Sequence, residues 1–364
     1  MSRIAHIAGF IVLLFAACHS RPPIVSELLS YTDTKGRRRP VVTASDWEMK
    51  RHQILDSMQA VMGPLPSLQP LPAFDIQYRD SLMTEKYTRY LITFRVADNE
   101  YLPAYLYIPA RREPRRKFPA MLALHQTGDC ELGKQINEGG DCCREVDKNM
   151  GYAKELAGRG YVVISPDYPG FGELCGYDFQ NDRYQSGTMK GIFNHIRCVD
   201  LLQSLPEADS TRIGVIGHSL GGHNALFAGA FDTRIKVVVA SCGWTEFEYD
   251  DISPADNYGG WAQDYYMPLF RDKFQLDGHQ FPFNFHEIIA LIAPRRFFSN
   301  SPVYDYDFSV EGVKKGMDRA KEAFRFQQAE DRLQVRYPVT VHDFPPDIRR
   351  EAYRFIDESF DHQP

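Results

Sequence analysis

The sequence predicts an α/β fold, a mostly parallel doubly wound sheet flanked by helices. Three observations carry that expectation. From Phe118 onward short apolar runs recur, "FPAMLALH", "YVVISPD", "RIGVIGHS", "IKVVVASC" and "RRFFSN". They show little alternation, as strands covered on both faces do. Helix-like segments fall between them, and strand alternating with helix is the pattern of a parallel sheet. A chain of 364 residues, 43% of them hydrophobic, can bury the core that one large domain of this kind needs.

Taken in order, the elements are these. Arg3 precedes an apolar run from Ile7 to Ala17, so residues 1–17 read as a secretory signal peptide, too short to span a bilayer. Residues 18–45 read as a polar linker. A helix is expected from Asp46, as N-cap, to Met62, stopped by Gly63-Pro64. "YTRYLITFRV" and "LPAYLYIP", separated by "ADNEY", suggest an antiparallel hairpin at a sheet edge. The domain then spans residues 46–362, with this helix and hairpin as its N-terminal extension. Further helices are expected over 147–159, 187–205, 220–231 and 310–329. A last strand, "LQVRYPV", and a last helix over 346–360 complete the series. Residues 244–285 break the rhythm. They are dense in rings, among them Trp244, Tyr258, Trp261, Tyr265, Tyr266 and Phe270, without strand or helix periodicity. A long insertion between core strands is often functional, and this one reads as a lid whose Trp244, Trp261 and Tyr265 contact substrate.

A formal net charge of -6 gives no electrostatic reason to expect nucleic acid as a partner. Seven cysteines are present. Phe15-Ala16-Ala17-Cys18 resembles a bacterial lipobox, with Phe where an aliphatic residue is usual. The resemblance implies cleavage before Cys18, lipidation of its thiol, and an exported protein held by a lipid anchor at the periplasmic or outer membrane. An exported chain meets an oxidising compartment, so some of Cys130, Cys142, Cys143, Cys175, Cys198 and Cys242 are expected to pair. No CxxC spacing or Cys/His cluster shows in the sequence, so no metal is expected.

The chemistry concentrates in "RIGVIGHSLGGHNALFAGAF", Arg212 to Phe231. G-x-S-x-G between a strand and a helix is a nucleophile elbow, a turn so tight that only small residues fit two before and two after the serine. Ser219 is the expected nucleophile, at the carboxyl end of a strand where open parallel sheets bind ligands. Its base should come later in the chain, with an orienting acid between. His342 follows the last core strand, in "VTVHDFPPD", whereas His279 lies in the aromatic insertion and His286 opens a helix. The loop after "RRFFSN" offers Asp305 and Asp307 as acids, with Asp305 nearer the strand; Glu246 is the candidate one strand earlier. An oxyanion needs two N–H donors. One is expected from Leu220, the other from Gln126 or Thr127, in the loop after "FPAMLALH", which His125 would organise. Lys134 in the same loop reads as solvated surface within reach of substrate. His195, Arg197 and His223 read as packing residues.

"LALHQTG", the "DYPGFG" turn, the elbow with its preceding helix, "APRRFFSNSPVYDYDF" and "HDFPPDIRREAYRFID" together resemble the α/β-hydrolase superfamily, and within it bacterial exported, acetyl xylan esterase-like members. The resemblance implies Ser219, Asp305 and His342 as the triad, a small-molecule or polysaccharide ester as substrate, and no cofactor. The chain departs from glucuronoyl esterases, which carry Arg after the nucleophile, and from cephalosporin C deacetylase-type esterases, which carry Gln; Leu220 stands there. A serine peptidase on the same fold is the rival reading.

Overall fold

A computed structural model describes residues 27–110, 117–139, 145–250 and 260–364. The expected signal peptide, Cys18, Cys142, Cys143 and Tyr258 lie outside the described residues. From residue 27 the expected linker is built into the fold: β1 (Ser30–Thr32) and β2 (Arg38–Pro40) form an antiparallel ribbon, and Leu28 and Val41 are buried in the main core. Helix α1 (Ala44–Met62) begins before Asp46. Thr43 is the N-cap, its hydroxyl accepting the Asp46 backbone N–H, and the carboxylate of Asp46, at the third helical position, accepts the backbone N–H of Thr43 in return. This reciprocal capping box explains why an aspartate sits there. One stripe of α1, Trp47, Ile54 and Met58, is buried.

β3 (Gln77–Met83), β4 (Tyr87–Ala97) and β5 (Glu100–Pro109) form an antiparallel meander at one edge of a nine-stranded sheet. The expected hairpin is β4–β5, and β3 is the edge strand beyond it. β6 (Phe118–Leu124), β7 (Val162–Pro166), β8 (Ala208–His218), β9 (Ile235–Ser241), β10 (Arg296–Asn300) and β11 (Leu333–Arg336) run parallel. The full order is β11-β10-β9-β8-β6-β7-β5-β4-β3. Side chains alternate between two cores. Leu122, Val215, Val238 and Phe297 face one, and Met121, Ile216, Val237 and Phe298 the other. Both faces of the central strands are therefore apolar, which removes alternation from their sequences.

The helices lie on both faces. α3 (Gly187–Ser204), α4 (Leu220–Phe231) and α7 (Val310–Phe326) contribute to the first core, α2 (Tyr152–Gly158) and α8 (Pro346–Ser359) to the second. α4 is buried from Leu220 to Ala230, as a helix apolar all round must be. Among its described residues the aromatic insertion carries two 3-10 turns, the short helix α5 (Leu269–Asp272) and the start of α6 (Phe285–Ala290). Among the described residues no helix is long and apolar enough to cross a membrane.

Candidate active site

β8 ends at His218, and Ser219 turns the chain into α4 with φ 52° and ψ -118°. That left-handed conformation strains a non-glycine residue and persists only where the surroundings impose it. Here they do. A Cβ on Gly217 would lie 2.1 Å from the Gly221 carbonyl oxygen, and one on Gly221 would lie 2.0 Å from that of Leu124. Ser219 N–H donates to the Ser241 carbonyl at 2.9 Å, fixing the turn to the end of β9. The elbow therefore presents its serine at the carboxyl edge of the sheet, at the start of α4.

The loops after β10 and β11 meet beside it. His342 Nδ1 lies 2.9 Å from Asp305 Oδ1, and both side chains are almost wholly buried. The Asp305 carboxylate also accepts the backbone N–H groups of Asp307 and Phe308, so its orientation is set by its own loop. Asp307 stands 3.6 Å from the same ring nitrogen and is half exposed. The hydrogen bond thus goes to Asp305. Burial pulls the His342 pKa down, but the hydrogen bond and charge of Asp305 outweigh it and leave it raised. The imidazole packs against Tyr306 and Phe308, and meets His218, the residue before Ser219, edge-on at 4.8 Å.

Support for this pair comes from residues that motif reading missed. Asn300 Nδ2 donates to the Asp343 carbonyl at 2.9 Å and to Ser241 Oγ at 2.8 Å. Asn149 holds the Asp343 carboxylate at 2.8 Å. His342 is thereby anchored through its neighbour from two sides. The loops also pair with each other beyond the strands: Ser301, Val303 and Tyr304 donate backbone N–H groups to the carbonyls of Arg336, Pro338 and Thr340. No sequence spacing announced a Cys/His cluster, yet folding brings ligand-type atoms of His218, Cys242 and His342 within 4.8 Å of one another. Nδ1 of His342 is engaged by Asp305 and Nδ1 of His218 by the Ser241 hydroxyl at 2.8 Å.

Glu246 is elsewhere. It is fully buried, accepts from His286 N and Nδ1 at 2.9 and 2.8 Å, and pairs with Arg319. Both its oxygens are engaged there rather than at His342.

The loop after β6 is fixed as expected of His125. Its Nδ1 donates to the Gln126 carbonyl at 2.7 Å while Nε2 accepts from Tyr168 N–H at 3.0 Å. Thr127 lines the cavity at Ser219, with Oγ1 3.3 Å from the Tyr266 hydroxyl; the Gln126 side chain is buried. At the start of α4 the Gly222 and His223 N–H groups donate to the Ser219 carbonyl at 2.8 and 3.2 Å, while Leu220 N–H belongs to the first turn, whose earliest donors have no intrahelical acceptor. Lys134 is neither surface nor substrate contact. It is buried, with Nζ 2.6 Å from Asp167 Oδ2 and 2.7 Å from Glu173 Oε1. It ties this loop to the "DYPGFG" turn, as does the Cys130–Cys175 disulfide. Lys134→Met should lower stability by about 3 kcal/mol in urea unfolding, because it leaves the Asp167 carboxylate buried without its cation.

The insertion divides. Phe247, Phe270, Phe281, Phe283 and Phe285 form an aromatic cluster within the main core. Trp261 and Tyr265, with Tyr266, line a cavity of about 240 Å³ that also holds Ser219, Tyr306 and Phe308. Trp244 does not reach it. Its ring is 1% exposed, its Nε1 donates to Ser299 Oγ at 3.0 Å, and it packs on Gly316. The substrate role expected of Trp244 is therefore replaced by a core role. A larger hollow of about 830 Å³, lined by Arg38, Lys50, His286 and Arg319 among others, lies away from the elbow.

A family model described as fungal glucuronyl esterase matches residues 177–326, a stretch that includes Ser219 and Asp305 and stops short of His342. YtaP of Bacillus subtilis (strain 168), provisionally named a hydrolase, is 28% identical over 308 residues, 81% of this chain and 95% of that protein. A glucuronoyl esterase from Solibacter usitatus has a TM-score of 0.70 at 17% identity, covering 93% of this chain and 99% of its own. A provisionally named acetyl xylan esterase from Bacteroides fragilis gives 0.58 at 17% identity over 86% and 83%. At these identities the structural likeness speaks for the fold. The sheet order, the elbow and these likenesses together give the chain the α/β-hydrolase fold, and the proteins it is similar to include carbohydrate esterases.

Proposed function

We propose that the protein is a serine esterase acting on carbohydrate esters with small acyl groups such as acetyl. The observation that carries this is the Asp305–His342 hydrogen bond of 2.9 Å beside a serine held in a strained elbow. In this reading Ser219 Oγ attacks the ester carbonyl and His342 takes its proton. The tetrahedral oxyanion is held by backbone N–H groups of Leu220 and of the Gln126–Thr127 loop. Collapse expels the alcohol, protonated by His342, and leaves an acyl-serine. Water, deprotonated by the same imidazole, then attacks that acyl group and frees the acid. Asp305 fixes the tautomer and stabilises the imidazolium. A cavity of about 240 Å³ walled by Trp261, Tyr265 and Tyr266 suits a small acyl group and a sugar face.

Fluorophosphonate labelling at Ser219, with turnover of acetyl, methyl and hydroxycinnamoyl esters of plant polysaccharides, tests the reading. Aminoacyl and dipeptidyl anilides run beside them. Faster turnover of the anilides would assign the chain to the peptidases instead.

Export and lipid anchoring at Cys18 form part of the proposal, resting on residues 1–18 and supported by the Cys130–Cys175 disulfide, a bond suited to an oxidising compartment. Cys18→Ser should release the protein from the membrane fraction or stop its processing. An unchanged distribution would favour an ordinary signal peptide.

A further inference from the structure

Among the described residues, five of the eleven large hydrophobic side chains that stand exposed fall within residues 303–306 and 339–341: Val303, Tyr304, Tyr306, Val339 and Val341. These are the loops that carry Asp305 and His342, joined by the hydrogen bonds from Val303 and Tyr304 N–H to the Pro338 and Thr340 carbonyls. A single apolar residue in water is ordinary, but a group of them beside a cavity marks a binding surface. Here the side chains stand well out: Tyr304 is 63% exposed and Val339 79%.

Tyr306 joins this group to the site. Its ring is 56% exposed, yet it lines the cavity at Ser219 and packs against the His342 imidazole at 5.3 Å. That cavity, about 240 Å³, is smaller than the roughly 300–1,000 Å³ of pockets that enclose a whole ligand. A polymeric substrate must therefore continue outside it. In the esterase reading His342 protonates the departing alcohol, so the alcohol oxygen must come within hydrogen-bond reach of the imidazole, about 2.6–3.2 Å. The alcohol then extends from the base, and the exposed side chains beside the base are those of these two loops. Their openness bears on what lies there. A sugar ring offers one apolar C–H face to a tyrosine or valine and keeps the hydroxyls at its rim in water. An aromatic alcohol has no such rim and gains most where it is enclosed.

We propose that the loops after β10 and β11 form a platform for the sugar units linked to the acylated one, with Tyr304 as the ring on which one of them stacks. This rests on the esterase reading and deepens it. The test measures kcat/KM on singly acetylated mono-, di- and trisaccharides of β-1,4-linked xylose, glucose and mannose, acetylated on either terminal ring, beside benzyl acetate. All leave the same acetyl-serine, so deacylation is common to them and the differences belong to acylation. Wild-type enzyme should gain about five- to tenfold from monosaccharide to trisaccharide in at least one series, the order of one stacked ring. Tyr304→Ala should bring that ratio to within about twofold of unity, and Tyr304→Phe, which keeps the ring, should retain it. A side chain that only props up the triad would lower every rate alike and leave the ratio unmoved. Val339→Asp, which sets a hydrated charge on the platform, should also lose the gain and decides the matter if Tyr304→Ala does not fold.

No gain with chain length in any series would overturn the proposal. So would a gain that survives in folded Tyr304→Ala. If Tyr304→Ala lowered turnover of benzyl acetate as much as that of the trisaccharide, the ring would not be reading sugars and the proposal would fall. No turnover of any ester, the small ones included, would end the esterase reading itself, whereas a flat chain-length series ends only the platform.

Discussion

Ser219→Ala will lower ester turnover by about 10⁴- to 10⁶-fold and leave the fold intact, as measured by initial rates beside circular dichroism and thermal unfolding. The size follows from the triad acting as a unit: without the nucleophile, the base and the oxyanion donors have nothing to activate, and only residual binding catalysis remains. The fold should survive because the strained turn is imposed by its neighbours. Gly217, Gly221 and the hydrogen bond from Ser219 N–H to the Ser241 carbonyl are all untouched by loss of the hydroxyl. Alanine also suffers the same positive-φ strain as serine, so little stability should change in either direction. The buried cysteines of this region offer no substitute, since burial pushes the Cys242 thiol pKa well up and leaves it protonated. A variant that keeps a tenth of wild-type activity would remove Ser219 from the mechanism.

Asp305→Asn should cost about 10⁴-fold, the loss expected when the base is held in the wrong tautomer. Asp307→Asn should cost far less, because its carboxylate sits 3.6 Å away and half exposed. Glu246→Gln should act mainly on stability, since its carboxylate is spent on His286 and Arg319. The pH profile separates these cases. In the proposed mechanism His342 works as a base only when neutral, and its pKa is raised above the ordinary 6.5. Wild-type kcat/KM should therefore fall as pH drops through that raised value. In Asp305→Asn the two largest raising contributions vanish, burial remains, and only the smaller charges of Asp307 and Asp343 still oppose it, so the acid limb should move to lower pH even as the plateau collapses. An acid limb that stays in place would show that Asp305 does not govern the base. Should Glu246→Gln instead give the largest kinetic loss, the orienting acid belongs to the loop after β9.

The parts of this enzyme visible in its sequence were those that depend on one residue type at one spacing. The elbow needs small residues at Gly217 and Gly221, and its order with Asp305 and His342 follows from strand succession. The central strands β6 to β9 were legible because both faces of each are apolar, whereas β11, an edge strand, alternates Leu333 and Val335 with Gln334 and Arg336. β3 was not, since every residue of "QYRDSLM" is exposed and its pairing with β4 leaves no hydrophobic trace. Trp244 and Trp261 are alike in composition and neighbourhood. Only packing tells that one closes over Gly316 and the other faces the nucleophile. Lys134 misled for a related reason. A lysine in a polar loop reads as solvated, and the carboxylates that permit its burial come 33 and 39 residues later.

The backbone pairing that continues past β10 and β11 has a mechanical consequence. Asp305 and His342 sit on the two arms of one hydrogen-bonded extension, held to each other by the bonds from Ser301, Val303 and Tyr304. Acid and base therefore travel as a cassette. The cassette is in turn tied to the elbow, because Asn300 bridges the Asp343 carbonyl to Ser241, whose own carbonyl accepts the Ser219 N–H. Two properties that usually vary together become separable here: the basicity of the imidazole is set within the cassette, and its place relative to the serine by Asn300 and Asn149, which hold the neighbouring Asp343. Lengthening either arm should detune the reach first, leaving a base of normal strength that arrives too seldom.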